Sequence, residues 1–259
     1  MSNMAARMRS GVDVVFEAPR WSERWTLEDD ATMPESLEHQ LTTKLLLDIF
    51  LAWVLRTGRD ATAGSHLALR WDEEHPKVGV DPDVYLVEPA LPRSTRSLRT
   101  WEPGHHAPTV AVEVVSRKTA RKDYVEGPAK YAASGTRELW IFDQERCGRG
   151  LMGGPWVLQV WRRTEAGAFR QVYAGDGPAY SEAIDAWLVV TDDGTRLRVA
   201  DDEAGKRCWP TERERAEAEL RRAEAERLRA EAERRRAEAA EGEVAALRAA
   251  LAAMRASAT

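Results

Sequence analysis

The sequence predicts a mixed α/β domain followed by a long C-terminal helix. Short runs rich in β-branched and aromatic residues, such as 83–87 and 109–116, are typical of buried strands. Apolar residues recur at helical spacing between 37 and 55. From Ala216 the chain repeats every seven residues with many alanines, glutamates and arginines, which predicts a continuous helix.

Length and composition limit the classes of function. A chain of 259 residues can form one core and an appendage. We expect a flexible leader over 1–20, a domain over 21–205, and a charged heptad helix over 206–259. The net charge of −5 excludes an overall attraction for nucleic acid, so such binding requires a local patch. No apolar run approaches membrane-spanning length, and two widely separated cysteines fit a reducing cytoplasm.

The predicted elements follow in chain order. Residues 12–33 suggest one or two short strands. Ser36 is a good N-cap for a helix whose apolar residues fall at 37, 41, 45, 49 and 52/53, and Gly58 is its natural end. A helix that ends at Gly135 begins or is interrupted near Pro128, because proline is tolerated only in a first turn. The remaining strands are predicted at 61–72, 83–87, 109–116, 138–143, 156–163, 169–174 and 186–199.

Two acids stand inside the predicted core strands. Asp83 opens the run 83–87, and Glu113 lies in the run 109–116. A buried acid destabilises the fold unless a partner compensates its charge. If the two strands pair, both carboxylates reach one place, and converging carboxylates suit a hard divalent cation. A structural ion pair between Glu113 and an arginine or lysine is the less favoured alternative.

The ordered motifs of the central stretch resemble the Uma2 (DUF820) family of the PD-(D/E)xK nucleases. The resemblance covers roughly residues 25 to 200, and its specific motifs lie within 82–143. They are Pro82-Asp83-Val84, Val112-Glu113-Val114-Val115-Ser116, Asp123, Tyr131, Gly135 and Glu138-Leu139-Trp140-Ile141-Phe142-Asp143.

This resemblance implies a restriction-endonuclease-like mixed sheet flanked by helices. It also implies a Mg²⁺ ion, with Mn²⁺ as a substitute, held by Asp83, Glu113 and the backbone carbonyl of Val115. The implied reaction is hydrolysis of DNA phosphodiester bonds by a water molecule that the metal activates. The basic residues after the second acid would grip phosphate; they are Arg117, Lys118, Arg121 and Lys122, with Arg93, Arg96 and Arg99 as further candidates.

The catalytic lysine departs from the family pattern. Gly127 stands where Uma2-like proteins carry it, and Val115 occupies its position in other PD-(D/E)xK nucleases. Lys130, three residues on, is the favoured replacement, and Lys118 and Lys122 are weaker candidates.

Three further residues are secondary site candidates, each with a structural alternative. For Ser116 we favour a cap of the following turn, and for Asp123 a cap or surface acid is as acceptable as an outer-shell role. Glu38 shares the first turn of its helix with His39, where a capping acid and a surface histidine are favoured over a metal site. For Lys130 a solvated surface position is equally acceptable.

A second function from a different class remains open. The loss of lysine at position 127 favours a catalytically degenerate core that serves as a binding or scaffold protein, whereas Asp83 and Glu113 favour an enzyme. A glycosidase fits poorly, because no aromatic substrate loop accompanies the acids. In either case the heptad helix, with Val244, Leu247, Leu251 and Met254 at 3–4 spacing, predicts a homo-oligomer, most simply a dimer.

Overall fold

The fold is described from a computed structural model. It describes residues 15–16, 20–26, 36–148, 150 and 154–256. The chain divides into two units, a first unit of residues 1–211 and a second of residues 212–259. Most of the predicted leader, and residues 27–33 of the stretch 12–33 that was predicted to form one or two short strands, lie outside the described residues.

Within the described residues, the first unit combines strands with two α-helices, and the second unit forms one helix. The helices are α1 (Leu37–Thr57), α2 (Gly127–Ser134) and α3 (Glu212–Ala256). The strands are β1 (Val15–Phe16), β2 (Thr62–Gly64), β3 (Leu69–Arg70), β4 (Gly79–Val80), β5 (Val84–Val87), β6 (Leu98–Arg99), β7 (Val110–Val114), β8 (Glu138–Phe142), β9 (Leu158–Arg163), β10 (Phe169–Gly175), β11 (Ala179–Ser181), β12 (Ala186–Thr191) and β13 (Arg196–Ala200).

A mixed sheet organises the first unit, as the sequence predicts. Within the described residues its strand order is β1-β10-β9-β8-β7-β5-β2. β7 and β8 are parallel and are joined through α2, whereas the other neighbours are antiparallel. Two small three-stranded sheets, β11-β12-β13 and β4-β3-β6, complete the unit. The predicted strand 61–72 is therefore two short strands, β2 and β3, which belong to different sheets.

Hydrophobic cores lie on both faces of the central sheet. On one face, α1 packs through Leu46, Phe50 and Trp53 against Val112 and Val114 of β7. On the other face, Tyr124 and Tyr131 pack against Ala111 and Ile141. Because side chains alternate along a strand, Glu113 points to the second face, among aromatic side chains.

The buried face of α1 differs from the apolar stripe that the sequence suggests. Ser36 caps the helix by accepting a hydrogen bond from His39 N at 3.2 Å, and Gly58 ends it in the left-handed conformation at φ 64°. Leu37 and Leu41 are nevertheless exposed. The residues that face the sheet are His39, Thr42, Thr43, Leu46, Ile49, Phe50, Ala52 and Trp53.

The segment between β7 and β8 is helical through Pro128. A π-helical turn covers Lys122–Glu126, and Gly127 N donates to Lys122 O, five residues back. Proline has no N–H, and in a regular α-helix its ring clashes with the carbonyl four residues earlier. A wider turn relieves that conflict, so the chain enters α2 at Gly127 without a break. Gly135 then ends α2 at φ 88°, as predicted.

The second unit, α3, is a solvated helix over its described length. Its glutamates and arginines form ion pairs within the helix, such as Arg213 with Glu217 at 3.3 Å and Arg234 with Glu238 at 3.4 Å. The leucines at 220, 247 and 251 are exposed. Nowhere in the described part of the chain does a helix combine the length and apolar character needed to cross a membrane.

Candidate functional site

Asp83 and Glu113 lie side by side at one end of the central sheet. β5 and β7 are antiparallel, with Val84 paired to Val112, so Asp83 lies opposite Glu113 one residue further along. Directly opposed residues of paired strands share a face. Asp83 Oδ2 accepts a hydrogen bond of 2.7 Å from Val114 N, which fixes this carboxylate against β7.

His39 of α1 is a partner of Asp83. Its Nε2 lies 3.2 Å from Asp83 Oδ2, and its side chain is buried. The expectation of a surface histidine is therefore wrong. Its neighbour Glu38 is exposed and is not brought to the acids. A 3–4 spacing from 39 through 42/43, 46, 50 and 53 was present in the sequence, and it would have placed His39 on the sheet side of the helix.

Glu113 is enclosed, with a neutral donor and a cation beside it. Only 2% of the residue is exposed, and Glu113 Oε1 accepts a hydrogen bond of 2.7 Å from the hydroxyl of Tyr131 in α2. Burial raises the pKa of Glu113 well above its usual range. The ammonium of Lys122 opposes this rise, whereas the negative charges of Asp83 and Asp123 add to it. The three acids and Lys122 therefore form one electrostatic group.

Asp123 is a buried acid whose hydrogen bonding is incomplete among the described residues. It is 1% exposed, and among the described residues no group donates a hydrogen bond of normal geometry to either carboxylate oxygen. The ammonium nitrogen of Lys122 lies 3.8 Å from Asp123 Oδ1. Burial raises the pKa of Asp123 to about 7, against the opposing effects of Lys122 and the hydroxyl of Thr119. Asp123 is therefore not a surface acid. A buried carboxylate with incomplete hydrogen bonding destabilises the fold unless a positive charge compensates it.

Two lysines approach the acids, and they differ in environment. Lys122 is half-buried, and Glu113 has the largest effect in raising its pKa, so this ammonium stays charged. Lys130 is buried, which contradicts a solvated surface position, and its Nζ lies 3.6 Å from Glu126 Oε2. Burial lowers the pKa of Lys130, and Glu126 opposes that change more strongly than Glu113 does. Lys122 is thus the cation more strongly coupled to Glu113.

Val115, Ser116 and Gly127 are the predicted positions that follow the second acid in the sequence. Val115 directly follows β7, and its N–H donates to Phe142 O at 2.8 Å. Ser116 Oγ accepts a hydrogen bond of 3.3 Å from Thr119 N, which is the cap that we favoured. Gly127 is buried, and a Cβ there would meet Lys122 O at 3.5 Å, an ordinary contact. The missing lysine therefore does not reflect a lack of room at its first side-chain atom.

Basic residues lie on the turn between β7 and the π-helical turn. Arg117, Lys118 and Arg121 are exposed, and Arg117 Nε is 3.0 Å from Glu145 Oε2. These side chains follow directly from the strand that carries Glu113. They are accessible to a polyanion, whereas Lys122 of the same predicted group turns toward the acids.

A second acidic cluster lies apart from these residues in the sequence. One ligand atom from each of Asp72, Glu74 and His75 lies within 4.8 Å of the others. Asp72 Oδ1 accepts a hydrogen bond of 3.0 Å from Glu74 N, and Arg20 Nε lies 3.3 Å from Asp72 Oδ2. Asp72 therefore closes a turn, and the guanidinium of Arg20 already balances its charge.

Comparisons with known proteins identify a family and a similar solved structure. The model of the Uma2 family, described as "putative restriction endonuclease", matches residues 28–173. A solved structure similar to this chain is that of a putative nuclease belonging to DUF820 from Anabaena variabilis. It is 15% identical, covers 59% of this chain and 75% of its own, and superposes with a TM-score of 0.39. No curated protein shows significant similarity to the chain.

Proposed function

The chain belongs to the Uma2 family of restriction-endonuclease-like proteins, whose family model spans more than half of it, and on this premise we propose that it is a Mg²⁺-dependent endonuclease acting on DNA. The observation that carries the proposal is Asp123. Among the described residues, no group donates a hydrogen bond of normal geometry to its two buried oxygens, and its negative charge acts on Glu113 together with that of Asp83.

The donor set suits a hard cation. Asp83 and Glu113 offer carboxylate oxygens, and the carbonyl of Val115, directly after β7, would extend the set. Mg²⁺ prefers oxygen ligands and retains several waters, and Mn²⁺ accepts the same donors. A divalent cation would also compensate the charge that burial disfavours on Glu113 and Asp123. When bound, such a cation supplies Lewis acidity toward a phosphate oxygen and lowers the pKa of a water molecule.

The chain's own residues supply orientation and charge. Val114 N and His39 hold Asp83, and the Tyr131 hydroxyl holds Glu113, so neither carboxylate is free to rotate. We assign Lys122 the role of balancing charge beside Glu113 and of stabilising the negative charge that grows on the phosphate. Lys130 is the second candidate for this role, since Glu126 competes for its ammonium.

The exposed basic residues fit contact with the DNA backbone. Arg117, Lys118 and Arg121 lie beside the acids in sequence and are accessible. Each phosphate that they neutralise releases counterions, so binding weakens as salt rises. Because the overall net charge is −5, binding to DNA requires a local basic patch, and we assign that role to these residues.

Plasmid nicking tests the proposed activity. Supercoiled DNA is incubated with the full chain and Mg²⁺ or Mn²⁺, and Asp83→Asn and Glu113→Gln are compared with wild type. Both substitutions keep the shape of the side chain and remove its charge. We expect each to lower the cleavage rate by about 100-fold or more, as loss of a metal ligand typically does. Lys77→Met, an exposed change elsewhere, is the matched control. Unchanged cleavage by Asp83→Asn would refute the proposal.

Gly127 supports a second candidate function, a degenerate nuclease core that binds without cutting. The family's lysine is absent there, although the contact at its Cβ position is ordinary. If the wild type binds DNA but does not nick it, and Gly127→Lys introduces nicking, the scaffold function is favoured. If wild type nicks and Gly127→Lys adds nothing, Lys122 or Lys130 already fills the role.

We also propose that α3 contributes to self-association. Val244, Leu247, Leu251 and Met254 are exposed and follow 3–4 spacing, which is the pattern of a coiled-coil seam. The preceding heptads lack such a seam and are held by ion pairs within the helix.

A further inference from the structure

The outer face of α1 carries an apolar seam directed away from the sheet. Four leucines on it are exposed: Leu37 by 70%, Leu41 by 57%, Leu51 by 47% and Leu55 by 71%. A soluble helix normally turns its leucines inward. Here Leu46, Ile49, Phe50 and Trp53 fill the inward face instead, so the outer leucines contribute little to the core of this chain.

The outer residues follow a strict heptad spacing. From Leu37 the steps to Leu41, Lys44, Asp48, Leu51 and Leu55 are four, three, four, three and four residues. Alternating steps of three and four are those of the a and d positions of a coiled coil. The two central positions are charged, and they form an ion pair within the helix, with Lys44 Nζ 3.1 Å from Asp48 Oδ2.

This arrangement is symmetric about Leu46. Lys44 and Asp48 lie two residues to either side, Leu41 and Leu51 five, and Leu37 and Leu55 nine. Two copies of such a helix can pack antiparallel through their outer faces. The two-fold axis then crosses the helix at the level of Leu46, on the side opposite to its side chain. In that packing each leucine meets a leucine, and each charge meets the opposite charge.

We propose that the outer face of α1 is an isologous dimer interface whose occupant is the α1 helix of a second copy of this chain. Leu37 meets the partner's Leu55, Leu41 meets the partner's Leu51, and Lys44 meets the partner's Asp48. An isologous interface requires a self-complementary patch, and this seam has that property in both shape and charge. The central ion pairs set the register and the antiparallel direction, because parallel packing places Lys44 against the partner's Lys44.

The inference goes beyond the proposed nuclease activity and does not depend on it. His39, which contacts Asp83, lies on the sheet side of the helix, whereas the seam lies on the outer side. The residues of this interface also differ from those of the α3 seam, which belong to the other unit. Disrupting α1 pairing therefore leaves the acid site intact.

Charge reversal in trans tests the pairing. Lys44→Glu and Asp48→Lys are each made in the full chain, and self-association is followed by sedimentation equilibrium. In a dimer of either variant, like charges meet at both symmetry-related contacts. We therefore expect the dissociation constant of that dimer to be about tenfold higher than for wild type. An equimolar mixture restores opposite charges at both contacts, and we expect wild-type affinity for the mixed dimer. Within each variant helix the charges still repel, so repair within one helix cannot explain the recovery.

Matched controls and a cross-link sharpen the test. Lys77→Glu and Glu73→Lys reverse exposed charges away from α1 and are expected to leave association unchanged. Leu41→Cys mixed with Leu51→Cys should give a disulfide-linked dimer under mild oxidation. Leu41→Cys alone should not exceed the background from Cys147 and Cys208, because the two copies of residue 41 are about 15 Å apart in antiparallel packing.

Three results would overturn the inference. The first is a mixture of the charge variants that associates no better than either alone. The second is a Leu41→Cys cross-link as rapid as that of the mixed pair. The third is a monomer that forms no cross-link at all, which would mean that another segment of the same chain covers the seam.

Discussion

At the scale of single residues, Asp123 lies in surroundings that oppose its charge. It is buried, accepts no hydrogen bond of normal geometry from the described residues and has two other acids nearby, and the pKa of its carboxyl is raised to about 7. A pKa above that of the unfolded chain gives stability that is fully present below about pH 4. This stability is lost as pH rises through about 7. The first unit therefore favours either a proton or a cation at this position.

Replacing Asp123 by asparagine should flatten that pH dependence. In EDTA, we expect the free energy of unfolding of wild type to fall between pH 5 and pH 8, by up to about 3 kcal/mol from this group alone. Asp123→Asn should remove its part of the fall, so the variant becomes more stable than wild type at pH 8. Urea unfolding at several pH values measures this. Parallel curves for the two proteins would show that Asp123 is not the cause.

The two lysines should differ in their effect on cleavage. Lys122 is the cation coupled most strongly to Glu113, whereas Lys130 is paired with Glu126. We expect Lys122→Met to lower the nicking rate by about 100-fold and Lys130→Met to lower it by less than about 10-fold. Melting curves for both proteins control for folding. The reverse order of effects would return the catalytic role to Lys130.

At the scale of elements, local signals were predictable and side-chain directions were not. The β-branched runs identified β5, β7 and β8, and Ser36, Gly58 and Gly135 marked helix ends, because strand propensity and caps act within a few residues. The π-helical turn was outside such rules. It depends on how the chain around Pro128 fits between two parallel strands.

The candidate site, too, was predictable only in part from the local sequence. The acids Asp83 and Glu113 and the aromatic Tyr131 could be found from motifs. The contact of His39 with Asp83 and the coupling of Lys122 to Glu113 arise only when α1 and the π-helical turn are placed against the sheet. The apolar stripe of α1 was misleading, since its leucines are divided between two faces of the helix.

The two faces of α1 should differ in their contribution to stability. Leu46 is fully buried and Leu41 is more than half exposed, so they offer a matched pair in one helix. We expect Leu46→Ala to lower the free energy of unfolding by about 2–5 kcal/mol. Leu41→Ala should cost less than about 1 kcal/mol at protein concentrations where copies do not associate. Equal losses in urea unfolding would contradict the assigned faces.

At the scale of the whole molecule, the chain joins a folded nuclease-like unit to a solvated helix. α3 repeats its charges within the helix and exposes its apolar residues. Such a helix does not need the first unit for its local stability, and its C-terminal seam remains available to another copy.

Removing α3 should weaken association without unfolding the first unit. We expect a chain ending at residue 211 to keep its cooperative melting transition, because the two units are compact separately. The number of chains per particle, from the mass by light scattering at a fixed micromolar concentration divided by the mass of one chain, should be lower than for the full chain. An unchanged number of chains would show that the α3 seam makes no contribution.

Binding of Mn²⁺ tests the central claim most directly, because the claim is that Asp83 and Glu113, beside Asp123, hold one divalent cation. Electron paramagnetic resonance of free Mn²⁺ titrated with the full chain counts the ions bound. The account predicts one ion per chain, with affinity reduced by about 10-fold or more in Asp83→Asn and in Glu113→Gln. Glu74→Gln, in the turn that Arg20 balances, should bind like wild type. Undiminished Mn²⁺ binding by Asp83→Asn would contradict the account.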